Sequence, residues 1–246
     1  MSQSPMTKKK RTRKDAVIAQ PEPNEVQPAL LEDAQLKMLD NEEATREQAT
    51  SEDARPRVLN VGGNSKAIAI PEHYAGWNHL LLDIAPGPDV DVLLDARKLA
   101  EYEGAKFDSI YSSHNLEHFY PHDVPKVLSG FVHALAADGY VDIRVPDLPS
   151  VMKEVVDRGM ELDDTLYVSP AGPISAHDVI YGWGAEIERS GVDFFAHKRG
   201  FSIKSLSQAL AAAGFVHVHT AVNSFQLRAV AFKTDPTAAQ RQSLGI

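Results

Sequence analysis

Arg57-Val58-Leu59-Asn60-Val61-Gly62-Gly63-Asn64-Ser65-Lys66 starts as a short apolar run and breaks into two glycines. A short apolar run bounded by turn residues reads as a buried strand. Glycine directly after such a strand permits a tight turn and lets the backbone approach a ligand closely. Further runs follow in the same style. His79-Leu80-Leu81-Leu82-Asp83 is a second strand, Val90 to Leu94 a third, Phe107 to Ser112 a fourth and Tyr140 to Val145 a fifth. Between the last two, Val124, Val127, Leu128, Phe131, Val132 and Leu135 recur at helical spacing. Pro121 and Pro125 sit near the start of that helix and Gly139 just past its end. A second helix is predicted from Ile203 to Ala213, with Ser202 as N-cap and Gly214 after its last turn. Phe215 to Ala221 and Gln226 to Phe232 then pair as a closing hairpin. Alternating strands and helices predict a doubly wound α/β domain over residues 57–234.

In such sheets ligands bind beyond the carboxyl ends of the strands, near the switch in strand order. That places the candidates at Gly62 to Lys66, Asp83, Asp95, Ser113 to His118, and Pro146-Asp147. The first three belong together. An acid at the end of the second strand, about 20 residues past the glycine turn, suits a ribose diol because a carboxylate accepts from both hydroxyls. Glycine turn, Asp83 and Asp95 in that order point to an adenosine-type ligand; alternatively the two acids only cap strand ends.

Composition narrows the function classes. The 246 residues include no cysteine, so a disulfide framework, a thiolate zinc site, an iron–sulfur cluster and a cysteine nucleophile all fall away. With 25 Lys and Arg against 34 Asp and Glu, the net charge of -9 argues against nucleic acid as a partner of the whole domain. No apolar run is long enough to span a membrane. All 15 glycines and every aromatic residue lie after Pro56. Residues 1–56 are therefore expected to form a disordered arm, basic at Lys8 to Lys14 and acidic later, which cannot bury enough surface to order itself. A short amphipathic helix over residues 29–48 (Leu31, Ala34, Met38) is the one element read within it. No apolar stretch follows the basic cluster, so we expect no secretory signal and a cytoplasmic protein. Residues 235–246 are expected to be a C-terminal tail.

Leu59 to Lys66, Trp77 to Asp83, Val90 to Asp95 and Phe107 to His118 together resemble class I S-adenosylmethionine-dependent methyltransferases. Ala137-Asp138-Gly139 resembles the turn before the family's fifth strand, and Ala196 to Phe201 with the helix to Phe215 resembles its C-terminal part. The likeness is greatest to a subgroup of predicted methyltransferases often found with surface-glycan genes. It implies a Rossmann-like sheet of about seven strands with an antiparallel last strand. It implies S-adenosyl-L-methionine as cofactor and methyl transfer to a small-molecule or glycan acceptor. Gly62 and Gly63 would lie against the methionine part, Asp83 would hold the ribose, and Asp95 with Ala96 would meet the adenine. Ser113 and His114 would line the methyl-transfer pocket. The family's turn usually reads Gly-x-Gly, and here Asn64 takes the second glycine's place. Asn tolerates a positive φ better than most residues. A domain that keeps the fold and has lost catalysis is the alternative that this substitution suggests.

His114-x-x-Glu117-His118 also matches the pattern of inverted zinc proteases, with Glu186 or Glu188 as a third ligand. That chemistry needs both histidines on one helical face. Pro121 puts the next helix after the motif, so we expect no metal site of that kind, and instead a hydrogen-bonded corner at Glu117 and His118 beneath the pocket. Residues 160–200, rich in Gly and Pro, read as a lid or insertion that sets specificity. Its Tyr181, Trp183, Phe194 and Phe195 are expected mainly to pack. His197 and His114 are the candidate general bases, since imidazole titrates near neutrality. The sequence does not give the oligomeric state.

Overall fold

A computed structural model describes residues 55–170 and 172–246. The expected disordered arm and its helix over residues 29–48 lie outside the described residues. The strands are β1 (Arg57–Val61), β2 (Asn78–Asp83), β3 (Val92–Leu93), β4 (Phe107–Ser113), β5 (Leu135–Pro146), β6 (Thr165–Ser169), β7 (Gly172–Ser175), β8 (His217–Asn223) and β9 (Gln226–Phe232). The helices are α1 (Val124–Ala134), α2 (Leu148–Arg158), α3 (Ala176–Tyr181), α4 (Gly184–Ser190), α5 (Ile203–Ala213) and α6 (Ala238–Leu244). The main sheet has seven strands in the order β3-β2-β1-β4-β5-β9-β8. β1 to β5 run parallel, and β9 is antiparallel to both β5 and β8. This is the Rossmann-like sheet that the apolar runs and the resemblance implied.

Register explains the two-sided core. Leu59, Ile110, Val141 and Ala231 are neighbours across β1, β4, β5 and β9 and point to one face. There they meet Val127, Leu128 and Phe131 of α1 and Leu206 and Leu210 of α5. One residue along, Val58, Tyr140 and Phe232 point to the other face and join Tyr74 and Tyr111. The Tyr74 hydroxyl lies 2.7 Å from the Ser109 hydroxyl, which satisfies both buried groups. α5 has the expected ends: the Ser202 side chain accepts from the Ser205 N–H, and Gly214 has φ 112°.

Differences from the expected elements have physical causes. The third strand shrinks to Val92–Leu93, because Asp91 turns its side chain back to accept from the Leu81 N–H at 2.7 Å. α1 ends at Ala134, and Leu135 already pairs with Phe107 as the first residue of β5. The register then jumps, with Ser109 opposite Tyr140, so Ala137-Asp138-Gly139 is a bulge inside a strand and not a turn before it. α2 was not expected. Asp147, proposed as a ligand residue, instead caps it by accepting from the Ser150 N–H, and Gly159 closes it at φ 60°. The segment expected as a tail forms α6, capped by Thr237, with Leu244 only 3% exposed against the tyrosine cluster. Residues 160–200 hold the β6–β7 hairpin, α3, α4 and a 3-10 turn at Asp193–Phe195. Among the described residues no helix is long and apolar enough to cross a membrane.

Candidate active site

Two cavities open at the carboxyl ends of the parallel strands. The first, about 430 Å³, is walled by Gly62 and Asn64 after β1, Asp83 at the end of β2, Asp95 and Ala96 after β3, and His114 and Asn115 after β4. The second, about 600 Å³, is walled by Tyr167, Trp183, Phe225 and Gln226 together with His197. The two share His114, His118 and Phe195. Of the residues singled out in the sequence, Gly62, Asn64, Asp83, Asp95, Ala96 and His114 come together on the first cavity and His197 lies on the second. Gly63 and Ser113 are not among the lining residues; the place expected for Ser113 is taken by His114 and Asn115.

The glycine turn is tight for a reason internal to the protein. Gly62 has φ 73° and its N–H donates to the Leu82 carbonyl at 2.8 Å. A Cβ on Gly62 would stand 2.1 Å from Asn115 Nδ2, and one on Gly63 2.2 Å from Asn60 Nδ2. Two asparagine side chains therefore occupy the space that larger residues would need. Asn64 holds φ 62°, and the Ser65 N–H donates to the Gly63 carbonyl at 2.7 Å. A three-residue turn with positive φ at its centre is the γ-turn that L residues seldom adopt, and Asn sustains it here. The loop is pinned beyond it. The Ser65 hydroxyl and Lys66 N–H both donate to Asp89, and Lys66 Nζ pairs with Asp91 at 2.7 Å. We expect Gly62→Ala to lower Tm by roughly 2–8 °C, from the ~1–2 kcal/mol cost of the left-handed backbone. It should also weaken ligand binding in the first cavity by pushing Asn115 off the wall. Thermal unfolding and titration of the variant check this; an unshifted Tm would contradict it.

The two acids differ in freedom. Asp83 Oδ1 accepts from the Ala85 N–H at 3.0 Å, and the residue faces the cavity half-buried. Asp95 is bound to Arg97, through the Arg97 N–H at 2.9 Å and a guanidinium fork at 2.9 and 2.6 Å. Those Arg97 hydrogen bonds hold its carboxyl below the usual carboxylate range. Asp95 thus shapes the wall, and Ala96, 5% exposed, offers the apolar surface beside it.

The third feature is a histidine–glutamate corner built around the buried Glu117. His114 leaves β4 with φ 48° and donates its N–H to the Arg144 carbonyl at 2.9 Å. Gln226 Nε2 lies 3.0 Å from His114 Nε2. With the amide as donor, the imidazole proton is assigned to Nδ1, which stands 3.3 Å from Glu117 Oε1. Glu117 is 1% exposed, and its backbone carbonyl accepts from the N–H groups of Lys198 and Arg199. Burial pushes its carboxyl up, but His114, His118 and His197 together hold it below the usual range. His197 donates Nδ1–H to the Val179 carbonyl at 2.8 Å, and burial holds its imidazole below the usual value against the pull of Glu117.

The inverted zinc-protease arrangement is not built. His118 ends a 3-10 turn, Leu116–His118, so it does not share an α-helical face with His114. Glu186 is engaged by Arg189 at 2.8 Å and Glu188 is exposed. The insertion's aromatics also depart from expectation: Tyr181, Trp183, Phe194 and Phe195 are 56%, 38%, 49% and 39% exposed. They do not pack in the core, and Trp183, Phe194 and Phe195 instead face the cavities. Asn115 falls within the candidate stretch Ser113 to His118, whereas Tyr167, Phe225 and Gln226 lie outside every candidate stretch. A phenylalanine in the β8–β9 turn was the available signal for Phe225, which stacks on Tyr167 with ring centroids 5.9 Å apart.

A family model described as a methyltransferase domain matches residues 31–220. The chain belongs to this methyltransferase family. Among solved structures it is similar to a SAM-dependent methyltransferase from Archaeoglobus fulgidus, with TM-score 0.48 and 15% identity over 76% of this chain and 90% of that one. It is also similar to 1,6-didemethyltoxoflavin-N1-methyltransferase from Burkholderia thailandensis, bound to 1,6-didemethyltoxoflavin and S-adenosylhomocysteine. There the TM-score is 0.44, with 20% identity over 90% and 93% of the two chains. For human N-acetylserotonin methyltransferase in complex with SAM the values are 0.45 and 13%, over 75% of this chain and 49% of that one. No curated protein matches the sequence.

S-adenosylmethionine is the cofactor of the family, and the residues present fit it. The first cavity is in the size range of small-molecule sites. It joins a glycine turn to the β2 carboxylate of Asp83 and an apolar wall at Ala96.

Proposed function

We propose that this methyltransferase acts on a small acceptor that presents a ring face and a hydroxyl group, and that the second cavity is where the acceptor binds. The observation that carries this reading is that the two cavities meet at His114, His118 and Phe195. A molecule in the aromatic cavity can therefore reach one in the strand-end cavity at a single point. Tyr167, Trp183, Phe195 and Phe225 offer flat surfaces on which a sugar face or an aromatic ring can lie.

Bound S-adenosylmethionine supplies an electrophilic methyl group. In the proposed roles, Asp83 accepts from the ribose hydroxyls, Ala96 lies beside the adenine, and Gly62 and Asn64 bring backbone against the methionine part. The main work of the protein is to hold two reactants in line, which by itself accounts for a large share of such rate enhancements. An acceptor hydroxyl takes the place of the Gln226 amide at His114 Nε2. The acceptor oxygen would take the methyl group as its bond to sulfur breaks, with the bonding pair left on sulfur, and His114 Nε2 would take the hydroxyl proton. His197, held by Val179, stands behind the acceptor as part of the buried corner.

The test is product formation. The protein is incubated with S-adenosylmethionine labelled in its methyl group and a panel of sugars, phenols and hydroxylated heterocycles. Labelled product and S-adenosylhomocysteine should appear in equal amounts for ring-bearing hydroxyl acceptors and be absent in Trp183→Ala. Transfer only to amines or to proteins would contradict the proposed acceptor class.

A further inference from the structure

We propose that Glu117, His118 and His197 form a divalent cation site, suited to Zn²⁺, at the floor of the acceptor cavity. One ligand atom from each lies within 4.8 Å of the other two. Two features make this more than a cluster of polar groups. First, Glu117 Oε2 has no hydrogen-bond partner among the described residues and Oε1 has only the His114 Nδ1–H, at 3.3 Å, although the side chain is 1% exposed. Leaving a buried carboxylate unsatisfied is costly, and such groups pair or coordinate metals. Second, the His197 tautomer is fixed. Its Nδ1–H goes to the Val179 carbonyl, which leaves the Nε2 lone pair 4.0 Å from Glu117 Oε1. Two acceptors thus face one another across a gap too long for a hydrogen bond and suited to a cation between them.

His118 fits the same role. Its Nδ1 lies 3.2 Å from the Ala196 carbonyl and its Nε2 3.2 Å from the His114 carbonyl. A neutral imidazole has one N–H, so one of these contacts sets a lone pair against a carbonyl oxygen. A cation takes that lone pair while the other nitrogen keeps its carbonyl. Metal-binding histidines ordinarily donate their second ring nitrogen to a carbonyl or carboxylate in this way, as His197 already does. Two imidazoles and a carboxylate make a donor set that suits zinc with one position left open. Ligands about 2.0–2.2 Å from zinc lie roughly 3.4 Å apart in a tetrahedral site, so the trio, now within 4.8 Å of one another, draws together as it closes on the ion. On the reading of the second cavity as the acceptor site, the open position would take a water molecule or a second polar group of the acceptor, while the reacting hydroxyl stays at His114 Nε2, which faces Gln226.

The experiment uses the full chain, stripped with a chelator and returned to chelator-free buffer, without S-adenosylmethionine. Co²⁺ alone is added and its visible absorption followed, and Zn²⁺ uptake is measured by equilibrium dialysis. We expect one equivalent of either metal, with Co²⁺ bands typical of four-coordination. Affinity should fall at least 100-fold in His197→Ala and in Glu117→Gln, and stay unchanged in His122→Ala, a surface histidine outside both cavities. Circular dichroism identifies any variant that fails to fold; His118→Gln then serves in its place. A folded wild type that takes up neither metal at submillimolar concentration overturns the proposal, as does equal affinity in folded His197→Ala. Metal uptake without methyl transfer would leave this site standing and count against the proposed acceptor chemistry alone.

Discussion

Replacing His114 with Asn should lower kcat for a hydroxyl acceptor by about 10²–10⁴-fold, the usual contribution of a positioned general base. Its KM for S-adenosylmethionine should barely move. Asn is the informative replacement because residue 114 has φ 48°, and Asn tolerates that backbone where Ala would add strain. His114 is the imidazole on both cavities whose Nε2 lies toward Gln226, away from the buried corner. Removing it takes away the proton acceptor and leaves Asp83, Ala96 and Asn64 where they are. Steady-state kinetics at saturating cofactor, with folding checked by thermal unfolding, gives the answer. A kcat within about threefold of wild type would show that the proton goes elsewhere, whereas the predicted loss spans at least two decades.

Arg228→Met should produce the largest loss of stability. Asp142 is fully buried, and Arg228 grips it through Nε and Nη2, both at 3.0 Å. Arg228 also donates Nη1–H to the Leu244 carbonyl at 2.9 Å, so it ties α6 to the sheet. Removing one partner of a buried ion pair leaves an uncompensated charge, at a cost of about 3–5 kcal/mol. For a domain of this size that is a fall in Tm of roughly 6–20 °C. His73 and Arg144 stand 3.5 and 3.9 Å from the same carboxylate and can soften the loss, which favours the lower end. The double variant Arg228→Met with Asp142→Leu should recover much of it, because no buried charge remains. Differential scanning of the three proteins distinguishes a charge effect from lost packing: if the double variant is less stable than Arg228→Met, packing dominates.

Local rules made the sheet legible. β1, β2 and β4 are short apolar runs ended by Gly, Asp or Ser, the apolar part of β5 runs from Tyr140 to Val145, and burial on both faces leaves little choice about where such runs go. α5 carried both of its caps in plain view at Ser202 and Gly214. α2 carries the same signals, an Asp N-cap at 147, Pro149 in the first turn and Gly159 after the end, but its apolar face is too narrow to show as helical periodicity, with Val151 alone buried. The bulge at Ala137 to Gly139 could not be read, since it depends on which residue of β4 sits opposite. At the site, the strand-end residues Gly62, Asp83, Asp95 and His114 followed from topology. The aromatic wall did not. Tyr167 and Phe225 meet from segments nearly sixty residues apart in sequence, and such contacts have no local signature. The same holds for His197 and Glu117, eighty residues apart, whose facing lone pairs exist only in the folded chain.

The most direct test of the central claim is calorimetric titration of S-adenosylmethionine into wild type and Asp83→Ala. The wild type should bind one equivalent. The variant should stay folded, because Asp83 lies at a strand end with one local hydrogen bond to Ala85. Its affinity should fall by about 10- to 150-fold, the equivalent of a charge-assisted hydrogen bond of ~1.5–3 kcal/mol. Wild-type binding with the same affinity in Asp83→Ala would contradict the placement of the ribose at β2, and with it the assignment of the strand-end cavity to the cofactor.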